Sequence, residues 1–284
     1  MIQKILFRDF EFYILRDDLL GEFNGNKARK LEYFLQNDLG IKGIVSHGSS
    51  QSNAMYSLSV FAKLKKIEFH YVVSYLNENL QKNPVGNFLA SLENGMKLYI
   101  KDSREYYAKQ IAKDKNLFFI QEGVAIPEAE YGFKTQASEI KNFALKNSLK
   151  FDIFLPSGTG TSASFLSKNI DFDVYTCPCV GDDEYLKLQI QNLVSNSKVK
   201  ILKPPKKYHF GDLKIELFEI YKELKESTNI EFDLIYDPVG FITLFNNLDK
   251  FKNDVLYIHQ GGVMGNISQK QRYERKFKKI YKNI

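Results

Sequence analysis

Tryptophan is absent from the 284 residues, and only two cysteines, four histidines and seven prolines occur. The cysteines stand as Cys177-Pro178-Cys179. One intervening residue is too short for a comfortable disulfide and matches no usual zinc spacing. Both thiols are expected to be reduced and half-buried at a strand end, packing as small hydrophobes in a cytosolic protein. No apolar run approaches the roughly 20 residues of a membrane helix. The start, MIQKILFRDFEF, lacks the apolar stretch and small residues of a signal peptide. A cytoplasmic protein without membrane contact is expected.

What is present suffices for a full core. Hydrophobic residues make up 44%, including 23 Phe and 17 Tyr, enough for one large α/β domain or two smaller ones. The formal charge is 40 − 34 = +6, and much of the excess sits in the last fifteen residues. A nearly balanced body argues against a nucleic-acid surface and suits a small anionic ligand. The tail 269–282 reads as a solvated basic amphipathic helix, with RNA or membrane contact as the alternative.

Short apolar runs bounded by turn residues mark strands at 43–46, 68–73, 97–100, 117–120, 152–155, 173–177 and 255–259. Helical spacing marks 30–39, 52–64, 131–149 and 213–227. Alternating strands and helices predict parallel sheet covered by helices. Articulations are expected near 25–30 and 125–132. An exposed loop is expected at 198–207, which holds Pro204-Pro205 and five lysines.

Three segments carry chemistry. In Gly25-Asn26-Lys27-Ala28-Arg29-Lys30-Leu31-Glu32 a glycine turn sets a lysine just before a helix. The helix N-terminus disfavours a cation there and shifts the amine toward its neutral, nucleophilic form. In Ser46-His47-Gly48-Ser49-Ser50-Gln51-Ser52-Asn53 hydroxyls and amides crowd the end of a strand, as a ligand site or as a helix cap. In Pro156-Ser157-Gly158-Thr159-Gly160-Thr161-Ser162-Ala163 the glycines let backbone N–H groups close on an anion, with hydroxyls from Ser157, Thr159 and Thr161. Gly158-x-Gly160-x-x-Ala163 also fits a dinucleotide fingerprint. That fingerprint needs an acid at the end of the next strand, which here ends in Thr176-Cys177-Pro178, while Asp171 and Asp173 stand at its start. A phosphate monoester therefore suits the loop better than a pyrophosphate.

Taken in order, these segments resemble the 1-aminocyclopropane-1-carboxylate deaminase and D-cysteine desulfhydrase family of pyridoxal 5'-phosphate (PLP) enzymes. The resemblance implies an α/β fold of two open, mostly parallel sheets covered by helices, like the tryptophan synthase β-subunit (PLP fold type II). It implies a Schiff-base lysine at Lys27 rather than Lys30. Asn53 would bond the cofactor's phenolic oxygen, Ser52 would lie near substrate, and 157–161 would form the phosphate cup. Glu122-Gly123, Gly132-Phe133 and Glu139-Ile140 match the family pattern between these segments. Tyr208 matches an active-site tyrosine, and Asp237-Pro238-Val239 and His259-Gln260-Gly261-Gly262 match two late motifs.

Two departures stand out. In the family an active-site tyrosine follows Asp-Pro-Val, whereas Gly240 and Phe241 follow here. That removes a phenol able to contact substrate or move a proton. It also removes a polar residue that some relatives place by the pyridine nitrogen, which Gln260 is expected to reach instead. The implied reaction is deamination of a small amino acid to ammonia and a 2-oxo acid. A desulfhydrase-like elimination is favoured over ring opening because of the missing tyrosine. The implied division is 1–30 with 136–284 as the larger, cofactor-binding domain and 31–135 as the smaller, in a possible homodimer. Two other readings stay open: a PLP carrier or sensor with little turnover, and a nucleotide-dependent oxidoreductase.

Overall fold

A computed structural model describes residues 1–23 and 25–278. Strands β1 (Ile2–Phe7) and β2 (Phe10–Arg16) form a hairpin, followed by α1 (Asn26–Gln36), β3 (Gly43–His47) and α2 (Asn53–Lys65). Then come β4 (Glu68–Val73), α3 (Glu78–Lys82), α4 (Gly86–Glu93), β5 (Lys97–Ile100), α5 (Arg104–Lys115) and β6 (Phe118–Phe119). Next are α6 (Glu130–Lys146), β7 (Phe151–Ser157), α7 (Thr161–Asn169), β8 (Asp173–Pro178) and α8 (Asp183–Leu193). The chain continues through β9 (Lys200–Ile201), α9 (Ile215–Thr228), α10 (Asp237–Phe245), β10 (Asp254–His259) and α11 (Gly265–Phe277).

Among the described residues these strands make two sheets, ordered β1-β2-β10-β7-β8-β9 and β5-β4-β3-β6. Only β1 pairs antiparallel. The two open, mostly parallel sheets expected from the sequence are therefore present. Every residue of β7 and β3 is buried, which parallel strands covered on both faces require. Each large side chain sealed there, such as Phe151 or Phe154, contributes roughly 2–3 kcal/mol of transfer free energy.

One apolar cluster crosses between the sheets, joining Leu15, Ile153 and Leu256 to Ile44, Phe69 and Tyr71. Helices α1 and α6 lie at that junction. A Cβ at Gly132 would fall 2.0 Å from Arg29 O, so only glycine lets α6 approach α1 this closely. Buried Arg29 reaches Asp17 Oδ1 at 3.0 Å and Glu139 Oε2 at 2.6 Å. Strands β3–β6 all lie within 31–135, and the cuts at 30/31 and 135/136 fall inside α1 and α6.

Several local expectations shift. Helix α1 begins at Asn26, not near residue 30, so Lys27 stands in its first turn rather than before it. Arg29 and Lys30, charged residues in this first turn, are buried and paired with Glu139 and with Gly123 O. Both cysteines are fully buried and free, not half-buried. The loop at 198–207 contains the short edge strand β9. The basic tail forms α11 as far as Phe277, and the part of the expected helix beyond Lys278 lies outside the described residues. No helix among the described residues is long and apolar enough to cross a membrane.

Candidate active site

The carboxyl ends of β3, β6, β7, β8 and β10 converge on one cavity of about 330 Å³, a volume in the range of small-ligand sites. Gly25 brings the lysine segment in. Its φ is +54°, and a Cβ there would sit 1.8 Å from Gln260 O. The N–H of Asn26 donates to that same carbonyl at 2.7 Å. Asn26 Nδ2 donates to Gln260 Oε1 at 2.7 Å and to Ser162 Oγ at 2.9 Å. Its amide oxygen thus faces Lys27, whose Nζ donates to it at 3.0 Å. Burial lowers the Lys27 amine from 10.5 to about 8, with nearby Asp233 pulling the other way. Lys30, 3% exposed, also lines the cavity and donates to Gly123 O at 2.8 Å. Burial pushes its amine well down, and the neighbouring Lys27 adds to that.

Opposite the lysines lies the turn from β7 into α7. Gly160 caps α7 with φ +70°, where a Cβ would meet Ile190 at 2.6 Å. No side chain caps this helix, so its first N–H groups face the cavity side unpaired within the helix. Thr159 and Thr161 bring their hydroxyls together at 2.8 Å. Ser157 Oγ, by contrast, is already paired with Thr176 Oγ1 at 2.7 Å. The acid demanded by a dinucleotide fingerprint is missing in space as in sequence, since Asp173 opens β8 at its far end. A glycine cradle, two hydroxyls and helix N–H groups fit a phosphate monoester, with the Lys30 amine on the same cavity wall.

On the small-sheet side Ser52 caps α2, its Oγ accepting from the N–H groups of Ala54 and Met55. Asn53 Oδ1 accepts from Asn87 at 2.8 Å, and Asn53 Nδ2 lies 3.5 Å from Asp233 Oδ2. Burial raises Asp233 to about 6, although the N–H groups of Ile235 and Tyr236 both donate to it. A Cβ at Gly262 would fall within 2.6 Å of both Asn53 and Asp233, so this glycine lets the late motif close over them. Gln260 lines the cavity, but its Nε2 donates to Pro156 O at 2.6 Å while Oε1 receives Asn26.

Lys27, Ser52, Asn53, Ser157, Gly158, Thr159, Gly160, Thr161 and Gln260 all reach the cavity wall; Tyr208 does not. Its ring is buried in the core beneath the ammonium groups of Lys206 and Lys214. Gly240 is likewise away from the wall, and its missing side chain makes room for Tyr257, whose hydroxyl donates to Asp237 at 2.6 Å. The cavity nonetheless has a phenol, from Tyr236 one turn earlier, with its hydroxyl 3.3 Å from where a Gly158 Cβ would stand. Arg104 and Glu122 line the mouth as an ion pair, joined by Phe210 and Tyr185. Apart from Glu122, which a family match had picked out, none of these four was singled out by the sequence.

Two open parallel-stranded sheets meeting over such a cavity define the tryptophan synthase β-like class, PLP fold type II. The chain resembles, within that class, the 1-aminocyclopropane-1-carboxylate deaminase and D-cysteine desulfhydrase family. A Thermotoga maritima protein named "Putative 1-aminocyclopropane-1-carboxylate deaminase" is 27% identical, over 93% of this chain and 92% of its own length. The solved structure of a 1-aminocyclopropane-1-carboxylate deaminase homologue matches with TM-score 0.82 and 23% identity, covering 97% of this chain and 93% of that one. Serine racemase from Dictyostelium discoideum shares the fold at TM-score 0.65 and 17% identity, over 89% and 87% of the two chains. No family model matches the chain.

Proposed function

We propose that this chain is a PLP-dependent lyase that deaminates a small amino acid, releasing ammonia and a 2-oxo acid. The observation that carries the reading is Lys27, an amine lowered to about 8 and facing a phosphate-sized cradle across one cavity. In this reading Lys27 holds the cofactor's aldehyde carbon and Asn53 its phenolic oxygen. Gly158, Thr159, Gly160 and Thr161 would hold its phosphate, with the Lys30 amine on the same wall as a further donor. The bound group would draw electrons from the substrate's Cα and loosen the bonds there.

The chain's own residues supply the rest. The Lys27 amine would be the base for the α-proton, since burial lowers it to about 8 and so toward the neutral form a base requires. Ser52 stands beside the substrate. Gln260 orients Asn26 and thereby Lys27, a positioning role that replaces the expected reach to the pyridine nitrogen. Elimination of a β-leaving group needs little beyond this lysine, so D-cysteine, giving pyruvate, ammonia and hydrogen sulfide with the uptake of one water, is preferred over ring opening of the cyclopropane amino acid.

The visible spectrum of the purified protein with PLP tests this. A band near that of a lysine-bound cofactor, trapped by borohydride on Lys27 and absent from Lys27→Ala, supports the anchor. Release of a 2-oxo acid from a panel of D- and L-amino acids supports the reaction. A yellow protein that releases none would favour a carrier or sensor, and nicotinamide binding without PLP binding would favour the oxidoreductase.

A further inference from the structure

A string of polar side chains runs behind the cavity wall, from a loop carbonyl to a buried carboxylate. The carbonyl of Gln51 accepts from Asn87 Nδ2 at 3.0 Å. A backbone carbonyl can only accept, so this contact fixes which end of the Asn87 amide points inward. The same Nδ2 donates to Asn53 Oδ1 at 2.8 Å. That in turn sets the Asn53 amide: its oxygen faces Asn87, and its NH2 lies 3.5 Å from Asp233 Oδ2.

Asp233 is held as firmly from its own side. Its Oδ1 accepts from the N–H of Ile235 at 2.7 Å and of Tyr236 at 2.6 Å, which leaves Oδ2 turned to Asn53. Asp233 and Asn87 are each only 1% exposed. Glycines close over the string: a Cβ at Gly262 would stand 2.5 Å from Asp233 Oδ2, and one at Gly265 would stand 3.3 Å from Asn53 Oδ1. A carboxylate facing an amide accepts only from its N–H end, and in a dry site that preference is strong. Asp233 is also near enough to act on the Lys27 amine, so the NH2 end of Asn53 is the end on the lysine's side. The phenolic oxygen of PLP stands next to the aldehyde carbon that Lys27 would hold, and it meets that same end. An amide NH2 carries two hydrogens, so a contact to Asp233 does not preclude one to this oxygen.

We infer that Asp233 is a positioning residue: with Asn87 it fixes the Asn53 amide so that Asn53 donates to the cofactor's phenolic oxygen and cannot turn its carbonyl there. The inference rests on the proposed PLP reading of the site. The test titrates the full chain with PLP at pH 8, where Asp233, raised by burial to about 6, is ionised, and follows the visible band. Asp233→Asn keeps the oxygen that Ile235 and Tyr236 use but sets a second NH2 against that of Asn53. The apparent Kd for PLP should rise about tenfold, as for a lost hydrogen bond to a charged group. Asp233→Ser keeps an acceptor for the same two N–H groups and adds no opposed donor, so its rise should be smaller. In the Asn53→Ala background both substitutions should change the Kd by less than about twofold, because the amide they act through is gone. An effect exerted only through the charge near Lys27 would instead survive the removal of Asn53 in full. Wild-type affinity in both Asp233 variants, or a penalty of the same size with and without Asn53, overturns the assignment. A wild-type chain whose spectrum does not respond to PLP overturns the cofactor reading itself, and this assignment with it.

Discussion

Asn26 and Gln260, 234 residues apart, are joined twice: by the Asn26 N–H to the Gln260 carbonyl, and by the two side-chain amides, each at 2.7 Å. This double link fixes the start of α1 against the end of β10, so the register of Lys27 is set by a strand at the other end of the chain. The same Gln260 amide reaches Pro156 O, tying the lysine turn to the strand that carries the phosphate cradle.

Gly25→Ala should break that link. The added methyl would lie 1.8 Å from a backbone oxygen at a residue with φ +54°, so neither a rotamer change nor a small shift relieves it. Denaturant unfolding should show a loss of about 2–4 kcal/mol, and PLP capture should slow even where the fold persists. A variant with wild-type stability and capture would mean that the turn does not position the lysine.

Lys27 should give the protein a distinct pH signature. An amine at about 8 is neutral in roughly one molecule in ten at pH 7, against one in three thousand at the ordinary 10.5. The rate of cofactor capture should therefore rise to a plateau just above pH 8. Because burial lowers the folded-state value, the unfolded chain binds more protons between pH 8 and 10.5. The cost of the buried ammonium is present in full below 8 and relieved, by up to about 3 kcal/mol, as pH climbs through that window. Lys27→Met should be more stable than wild type at pH 7.5, and the gap should close by pH 10.5. Lys30 is present in both proteins, and losing the neighbouring Lys27 charge relieves part of the pressure on its own buried amine, which works in the same direction. A capture rate that still climbs past pH 10 would show an unperturbed lysine.

The sequence made the turn from β7 into α7, the proposed phosphate cradle, legible because glycines and hydroxyls follow directly on an apolar run, and position along a strand is what local patterning reports. Lys27 became legible only through its order among other motifs, since a lysine at a helix start ordinarily faces water. Other features had no local signal. Arg8 and Asp9 turn the β1–β2 hairpin at positive φ without a glycine to mark it. Tyr236 and Arg104 look like ordinary loop and helix residues until tertiary packing turns them toward the cavity. Tyr208 erred the other way, because the chain folds its ring under two lysines and away from the wall.

Tyr236→Phe and Tyr208→Phe should separate these two tyrosines. Burial first, then nearby Asp233, raises the Tyr236 phenol, so it is a hydrogen donor throughout the neutral range. Removing it should lower kcat/KM on the order of tenfold or more with little change in overall stability. Tyr208→Phe should leave turnover within about twofold. Steady-state kinetics on a common substrate decides, and the reverse ranking would return the role to Tyr208.

Restoring a side chain at position 240 should destabilise the protein. Gly240 is helical, so alanine there would ordinarily gain about 1 kcal/mol of helix propensity. Its Cβ, however, would stand 2.8 Å from the Tyr257 hydroxyl and 3.2 Å from the Pro156 ring. Yielding moves Tyr257 off buried Asp237, whose carboxyl burial already pushes up, and an unpaired buried acceptor costs about 1–3 kcal/mol. Gly240→Ala should therefore lose stability despite its helix propensity, and Gly240→Tyr should lose more. Tyr257→Phe takes away the obstructing oxygen, so adding it to Gly240→Ala should cost less than adding it to wild type. The double-mutant cycle in denaturant measures that coupling. Strict additivity would mean that the helix moves aside and that position 240 could again carry a tyrosine.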